Sequence, residues 1–119
     1  MMLLFFLAID LVNTQNSLNQ KIENMDLGNK ITRNQYFALA DMAFNAGTDK
    51  YSIVTSVLNA LKTGDVETAN NTIKNAYLNA DPKKGLMERR YFEAQAFING
   101  RLLTPEQANK ELIELGLKK

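Results

Sequence analysis

Proton-transfer chemistry in this chain rests on carboxylates, lysines and tyrosines, because its 119 residues include no histidine and no cysteine. Their absence excludes disulfide scaffolds, thiolate zinc sites and every Ser-His-Asp or Cys-His catalytic arrangement. The carboxylates that draw attention are Asp41 and the pair Glu88 and Glu93, which flank Arg89 and Arg90. We expect no metal ion and no cofactor.

Asp41 is the one charged residue in the apolar run from Tyr36 to Phe44. Burial would raise the pKa of such a carboxyl and suit it to act as a general acid. The simpler hypothesis, which we favour, is that Asp41 lies on the solvated stripe of its helix or pairs with an arginine. Glu93 follows Arg89 by four residues and Arg90 by three, a spacing that favours ion pairs within one helix.

Composition indicates one small folded domain, residues 1–119, with 45% apolar and 23% charged residues. A net charge of +1 argues against electrostatically driven nucleic-acid binding. The apolar run Met1–Ile9 is far shorter than the roughly 20 residues that span a bilayer. It lacks the basic region and cleavage site of a secretory signal, so we interpret it as a buried helix start without stable membrane insertion.

Helical periodicity and turn residues predict an all-α fold, a compact bundle of about six helices. The central helix, residues 33–46, is apolar nearly all round, which predicts burial. Thr32 and Gln35 form a capping box before it, and Gly47 follows it. The first helix covers 3–25, with a possible break in the weakly helix-forming stretch 13–17.

Four more helices follow, each bounded by caps or breakers. Residues 51–63 end at Gly64, and Asp65 caps a helix that Asp81-Pro82 stops. In that helix we expect four residues to face inward: Val66, Ala69, Ile73 and Tyr77. Residues 86–99 close at Gly100, and Thr104-Pro105 with Gln107 opens a last helix that ends at Gly116.

Three segments resemble the phage-type lysozymes, the endolysin muramidases of glycoside hydrolase family 24. ITRNQYFALADMAFNAG, residues 31–47, resembles their central helix. VLNALKTGDVETA, residues 57–69, is similar to their Leu-Asn-x-Gly-Asp helix pair, and GLMERRYFEAQAF, residues 85–97, to their Gly-Leu-x-x-Arg-Arg-x-x-Glu segment. The resemblance covers residues 7–98 and implies a lysozyme-like C-terminal lobe. Residues 99–119 form an extra helix beyond it.

The resemblance implies a peptidoglycan-hydrolysing function in a phage or prophage context, with glycan strands as the partner. It implies Asn45, Gln35 and Arg90 as substrate-binding residues, with Arg90 facing a carboxylate of the catalytic lobe. The family builds its active site from an early Glu, an Asp and a Thr in that lobe, and no residue here matches them. We therefore expect an N-terminally truncated lobe without catalytic residues of its own.

Two other hypotheses compete with a truncated lysozyme lobe. The chain could be a non-catalytic module that binds peptidoglycan or a protein, or an unrelated helical bundle. Asn45 could simply serve the turn after its helix, and Arg90 could pair with Asp41, Glu93 or water. The apolar residues 3–7 of the first helix predict self-association where they are exposed. Location in the bacterial cytoplasm or the cell envelope is left open.

Overall fold

The computed structural model describes residues 2–46, 52–80 and 86–118, and the side chains of residues 2–11, 45 and 46 are outside this description. The regular secondary structure of the described residues is entirely helical, which confirms the predicted all-α fold. Six helices follow one another along the chain: α1 Met2–Asn24, α2 Arg33–Ala46, α3 Ile53–Lys62, α4 Val66–Leu78, α5 Leu86–Asn99 and α6 Pro105–Glu114.

Capping boxes begin two of these helices as predicted. At α2 the Thr32 amide donates to Oε1 of Gln35 at 2.9 Å, and the Gln35 amide donates to Oγ1 of Thr32 at 3.1 Å. At α6, Thr104 and Gln107 exchange the same two bonds, and Pro105 occupies the first helical turn. These reciprocal bonds satisfy amide groups that a helix start otherwise leaves unpaired.

Gly100 follows the last residue of helix α5, and its φ of 68° lies in the left-handed region that glycine adopts without strain. A Cβ at this position would lie 3.2 Å from Nδ2 of Asn34, at the start of α2. The end of α5 therefore contacts the start of α2, while Arg89 near the start of α5 contacts Asp41 farther along α2. The two helices run antiparallel.

The predictions differ from the structure at several points. Helix α1 is continuous through residues 13–17, since asparagine, threonine, glutamine and serine only weakly disfavour a helix. Helix α3 begins at Ile53, with Ser52 as its cap. Val66 is exposed rather than inward, whereas the other three predicted inward residues of α4 are buried. The predicted stops at Gly47 and Asp81-Pro82 are outside the described residues.

The core lies where α5 packs against α2, α4 and α6, and where α2 packs against α1, α3 and α5. From α2 it receives Ala38, Leu39, Met42 and Ala43. Phe37, on another side of the same helix, is 49% exposed. The central helix is thus buried on one side and borders solvent on the other. No helix in the described part of the chain is long and apolar enough to cross a membrane.

Candidate functional site

Three neighbouring cavities follow the solvent-facing side of α2, and we call them together the α2 groove. Their volumes are about 520, 460 and 460 Å³, within the range of ligand pockets. The first and second share Arg33 and Tyr36 as lining residues, and the second and third share Asp41 and Arg89. Further lining residues are Asn19 and Ile31 in the first cavity, Thr14, Gln15, Phe37 and Phe44 in the second, and Phe92, Leu103 and Pro105 in the third.

The wall between the second and third cavities is a two-point ion pair between α2 and α5. Nη2 of Arg89 lies 3.2 Å from Oδ1 of Asp41, and Nε lies 3.4 Å from Oδ2. Burial acts to raise the pKa of Asp41, but hydrogen bonds with Glu93 and Arg89 and the charges of Arg89 and Arg90 outweigh it and lower that pKa. Asp41 is therefore ionised near neutral pH, and the prediction that it pairs with an arginine is confirmed.

Behind this wall lies a second, buried arginine–carboxylate pair on α5. Nε of Arg90 is 3.1 Å from Oε1 of Glu93, which confirms the pairing predicted from their three-residue spacing, whereas Arg89 pairs with Asp41 rather than with Glu93. Arg90 is 7% exposed and Glu93 is completely buried. Burial, followed by the hydrogen bond with Asp41, raises the pKa of Glu93 to about 9, against the opposing charges of Arg90 and Arg89.

Aromatic rings lie on both sides of the Asp41–Arg89 wall. Phe37 from the second cavity and Phe92 from the third meet edge to face, with ring centres 6.0 Å apart. Tyr36 donates a hydrogen bond from its hydroxyl to Oδ1 of Asn19 at 2.6 Å, which links α1 to α2. The groove thus combines apolar rings with polar groups that can both donate and accept hydrogen bonds.

A different set of polar contacts holds α6 on another side of α5. The Tyr91 hydroxyl donates to Oε1 of Glu111 at 2.8 Å, and Nη2 of Arg101 lies 2.6 Å from Oε2 of the same carboxylate. Burial and the bond with Glu111 raise the pKa of Tyr91 to about 12. Lys118 forms an ion pair with Glu88. Tyr91 is buried, and its ring packs edge to face on the ring of Tyr77.

The three residues predicted to bind substrate are not brought together at one point. Gln35 lies at the start of α2, where its side chain completes the capping box. Asn45 is ten residues along the same helix, roughly 15 Å farther on at 1.5 Å per residue, and its side chain is outside those described. Arg90 is buried beneath the Asp41–Arg89 wall.

The residues that sequence reasoning missed are Arg89, Phe37 and Phe92. The lone carboxylate of Asp41 in an apolar helix signals a cationic partner, and this could have directed attention to the adjacent arginines of α5. The described residues contain no group of three or more carboxylates that could hold a metal ion.

The profile of the phage lysozyme family matches residues 5–93, about three quarters of the chain. The chain belongs to the phage lysozyme family. The matched segment ends within α5. Helix α6, including the residues that it contributes to the third cavity, therefore lies outside the segment that identifies the family. A search of curated proteins and a search of solved structures gave no match. Membership of this lysozyme family supports a relation to peptidoglycan hydrolysis and confirms the resemblance seen in the sequence.

Proposed function

We propose that the α2 groove binds the glycan strand of peptidoglycan, and that this chain contributes the helical lobe of a muramidase without its general acid. The observation that carries the proposal is the Asp41–Arg89 pair, which lies between two cavities and beside the rings of Phe37 and Phe92. Family membership supports peptidoglycan as the substrate class.

The chemistry of the groove suits a neutral, hydroxyl-rich polymer. Sugar hydroxyls both donate and accept hydrogen bonds, and the Asp41–Arg89 pair offers an acceptor beside a donor. Aromatic rings provide rigid apolar surface for the C–H faces of sugar rings. The first and second cavities add uncharged polar groups from α1, namely Asn19, Thr14 and Gln15. The chain's net charge of only +1 agrees with a ligand that is not recognised by charge alone.

The carboxyl groups at the second and third cavities support the proposal that the general acid comes from elsewhere. Glycoside hydrolysis requires a protonated carboxyl that reaches the leaving oxygen. Glu93 is completely buried and cannot touch a bound sugar, and Asp41 has a lowered pKa and is therefore ionised. Glu88, which borders the third cavity, is paired with Lys118.

We retain the three predicted residues in the proposal, with roles that fit their positions. Gln35 holds the start of α2 through its capping box, and Arg90 supports the groove wall from beneath. Asn45, near the end of α2, is proposed as a direct glycan contact. Its replacement by alanine should weaken glycan binding without changing the fold.

A pull-down on insoluble, purified peptidoglycan tests the binding proposal. We expect the wild-type chain to be retained and Arg89→Ala to lose at least tenfold in apparent affinity. Arg101→Ala is the matched control, since its side chain is 48% exposed against 43% for Arg89, and Arg101 lies outside the groove. Absence of wild-type retention, or equal retention of both variants, would contradict the proposal.

A turbidity assay on bacterial cell walls tests the proposed absence of a general acid. We expect no clearing by the purified 119-residue chain. Clearing would show that one of its own carboxyls acts as the acid, and single substitutions of the groove carboxyls Glu23, Asp26, Asp41 and Glu88 by their amides would then identify which.

Binding to a protein partner is the alternative, and self-association through residues 3–7 remains a prediction. The side chains of those residues are outside the described part of the structure. Light scattering at increasing protein concentration measures the effect, and a monomer at every concentration would refute self-association.

A further inference from the structure

We propose that Glu93 is a positioning residue: it is protonated at neutral pH, donates a hydrogen bond to Asp41, and thereby fixes the Asp41–Arg89 wall of the α2 groove. The consequence for glycan binding rests on the proposed function. The protonation of Glu93 and its effect on Asp41 do not, and they can be measured without any ligand.

The surroundings of the Glu93 carboxyl favour its protonated form. Both of its oxygens are completely buried, and neither accepts a hydrogen bond from a described donor. Arg90 comes within 3.1 Å of Oε1 without forming a directed hydrogen bond. After burial, Asp41 on α2 is the side chain that most raises the pKa of Glu93, so the two carboxyls interact across the α2–α5 interface. Two ionised carboxylates are acceptors only, so this interaction becomes a hydrogen bond when one of them is protonated.

The proton belongs on Glu93 rather than on Asp41. Glu93 is completely buried, and an ionised carboxyl there would lose its hydration. Asp41 is partly exposed and already accepts two hydrogen bonds from Arg89. A carboxylate that accepts hydrogen bonds from a guanidinium is favoured in its ionised form. The raised pKa of Glu93 and the lowered pKa of Asp41 agree with this assignment.

Three charged side chains act on Glu93, all from α2 and α5: Asp41, Arg89 and Arg90. The other helices packed against α5 do not add to this set. Tyr77 from α4 packs on the ring of Tyr91, and Glu111 from α6 accepts its hydroxyl hydrogen bond. The protonation of Glu93 is therefore controlled at the α2–α5 interface.

Ionisation of Glu93 would place two negative charges in contact beneath the groove. The repulsion would displace the Asp41 carboxylate, which is the partner that holds Arg89 across the wall. A neutral Glu93 keeps Asp41 in place without competing for the Arg89 guanidinium. The arrangement thus makes groove geometry dependent on one buried proton.

The protonation is tested by following the ¹³C resonance of the Glu93 side-chain carboxyl in the wild-type chain as a function of pH. We expect a protonated carboxyl at pH 7 and a titration midpoint near 9. A midpoint near the ordinary value of 4.5 would overturn the inference. The measurement needs no peptidoglycan, so it stands even where the proposed function fails.

The positioning role is tested with Glu93→Gln and Glu93→Leu on insoluble peptidoglycan. The glutamine amide donates to Asp41 as the protonated acid does, and leucine fills similar volume without a donor. We expect Glu93→Gln to bind like the wild type at pH 6 and Glu93→Leu to bind at least tenfold more weakly. Between pH 7 and 10 the wild type should lose about tenfold in affinity relative to Glu93→Gln.

The possible outcomes separate the two proposals. If the wild-type chain is not retained on peptidoglycan at any pH, the proposed function is wrong. If the wild type is retained on peptidoglycan but Glu93→Gln binds as weakly as Glu93→Leu, the positioning role is wrong. Where Glu93→Leu fails to fold by circular dichroism, the pH profiles of the wild type and Glu93→Gln decide, and identical profiles would overturn the inference.

Discussion

Two arginine–carboxylate clusters lie against helix α5, and the pKa of Glu93 in one shifts in the opposite direction to the pKa of Glu111 in the other. The inner cluster faces α2 and contains Asp41, Arg89, Arg90 and Glu93, and the outer cluster faces α6 and contains Tyr91, Arg101 and Glu111. The nearest nitrogen–oxygen distances, 3.1 Å for Glu93 and 2.6 Å for Glu111, both indicate close pairing. Yet the pKa of Glu93 is raised to about 9, whereas the pKa of Glu111 is lowered.

Solvent exposure explains the difference. The Glu111 side chain remains 24% exposed and retains hydration, so its hydrogen bond with Arg101 dominates and favours the charged form. Glu93 is completely buried, and loss of hydration exceeds the attraction of Arg90. The presence of an arginine beside a carboxylate therefore does not by itself establish the charge of that carboxylate.

The largest effect is expected from removing the Glu93 carboxyl of the inner cluster. Glu93→Ala should lower the free energy of unfolding by roughly 3–5 kcal/mol, because it opens a cavity at a completely buried position and removes the hydrogen-bond donor of Asp41. Urea denaturation at pH 6 measures the change, with Glu93→Gln as the control expected to stay near the wild type. A loss below about 1 kcal/mol would show that the inner cluster contributes little to stability.

The outer region should depend on apolar packing rather than on its ion pair. Leu112 of α6 is completely buried, so Leu112→Ala should cost about 3 kcal/mol through lost contacts and a cavity. Leu115→Ala is the matched control, since Leu115 is 57% exposed and should change stability little. Equal effects of the two substitutions in urea denaturation would show that α6 is not anchored through Leu112.

The inner cluster should also make stability depend on pH. The pKa of Glu93 rises from 4.5 in its ordinary state to about 9 in the fold, so the folded chain holds a proton that the unfolded chain releases in this window. Stability should therefore fall as pH rises between these values, by at most about 1.4 kcal/mol per pH unit. Urea denaturation across pH should give a flatter profile for Glu93→Gln, and the same slope in both chains would contradict this prediction.

The smallest effect is expected from breaking the outer ion pair. Arg101→Ala should leave the urea midpoint nearly unchanged, because an exposed pair gains little over its hydrated partners. The pKa of Glu111 should rise toward its ordinary range, since the Arg101 hydrogen bond is the main cause of its lowering. Carboxyl NMR titration measures that shift, and a pronounced loss of stability would contradict the contrast between the two clusters.

Local features of this fold could be predicted because they depend on residues close in the chain. The capping boxes at Thr32 and Thr104 follow from three-residue spacings, and so does the pairing of Arg90 with Glu93. The Asp41–Arg89 contact joins residues 48 positions apart. Its geometry depends on how α2 and α5 cross, which periodicity does not specify.

The candidate site was less predictable than the fold for a related reason. An apolar pattern on most sides of a helix predicts that the helix is buried. The pattern does not indicate which side of the helix the neighbouring helices leave exposed. Phe37 is half exposed because the helices that pack on α2 cover its other side. The groove is therefore a product of helix arrangement, and its aromatic residues looked like ordinary core residues in the sequence.

The α2–α5 contact also has a consequence for how the chain folds. Among the described helices, the other substantial contacts join helices consecutive in sequence, whereas α2 and α5 are separated by roughly 40 residues. Closing the loop between α2 and α5 costs more chain entropy than pairing two consecutive helices, so the α2–α5 interface should form late in folding. Destabilising substitutions within the α2–α5 interface should then speed unfolding more than they slow folding.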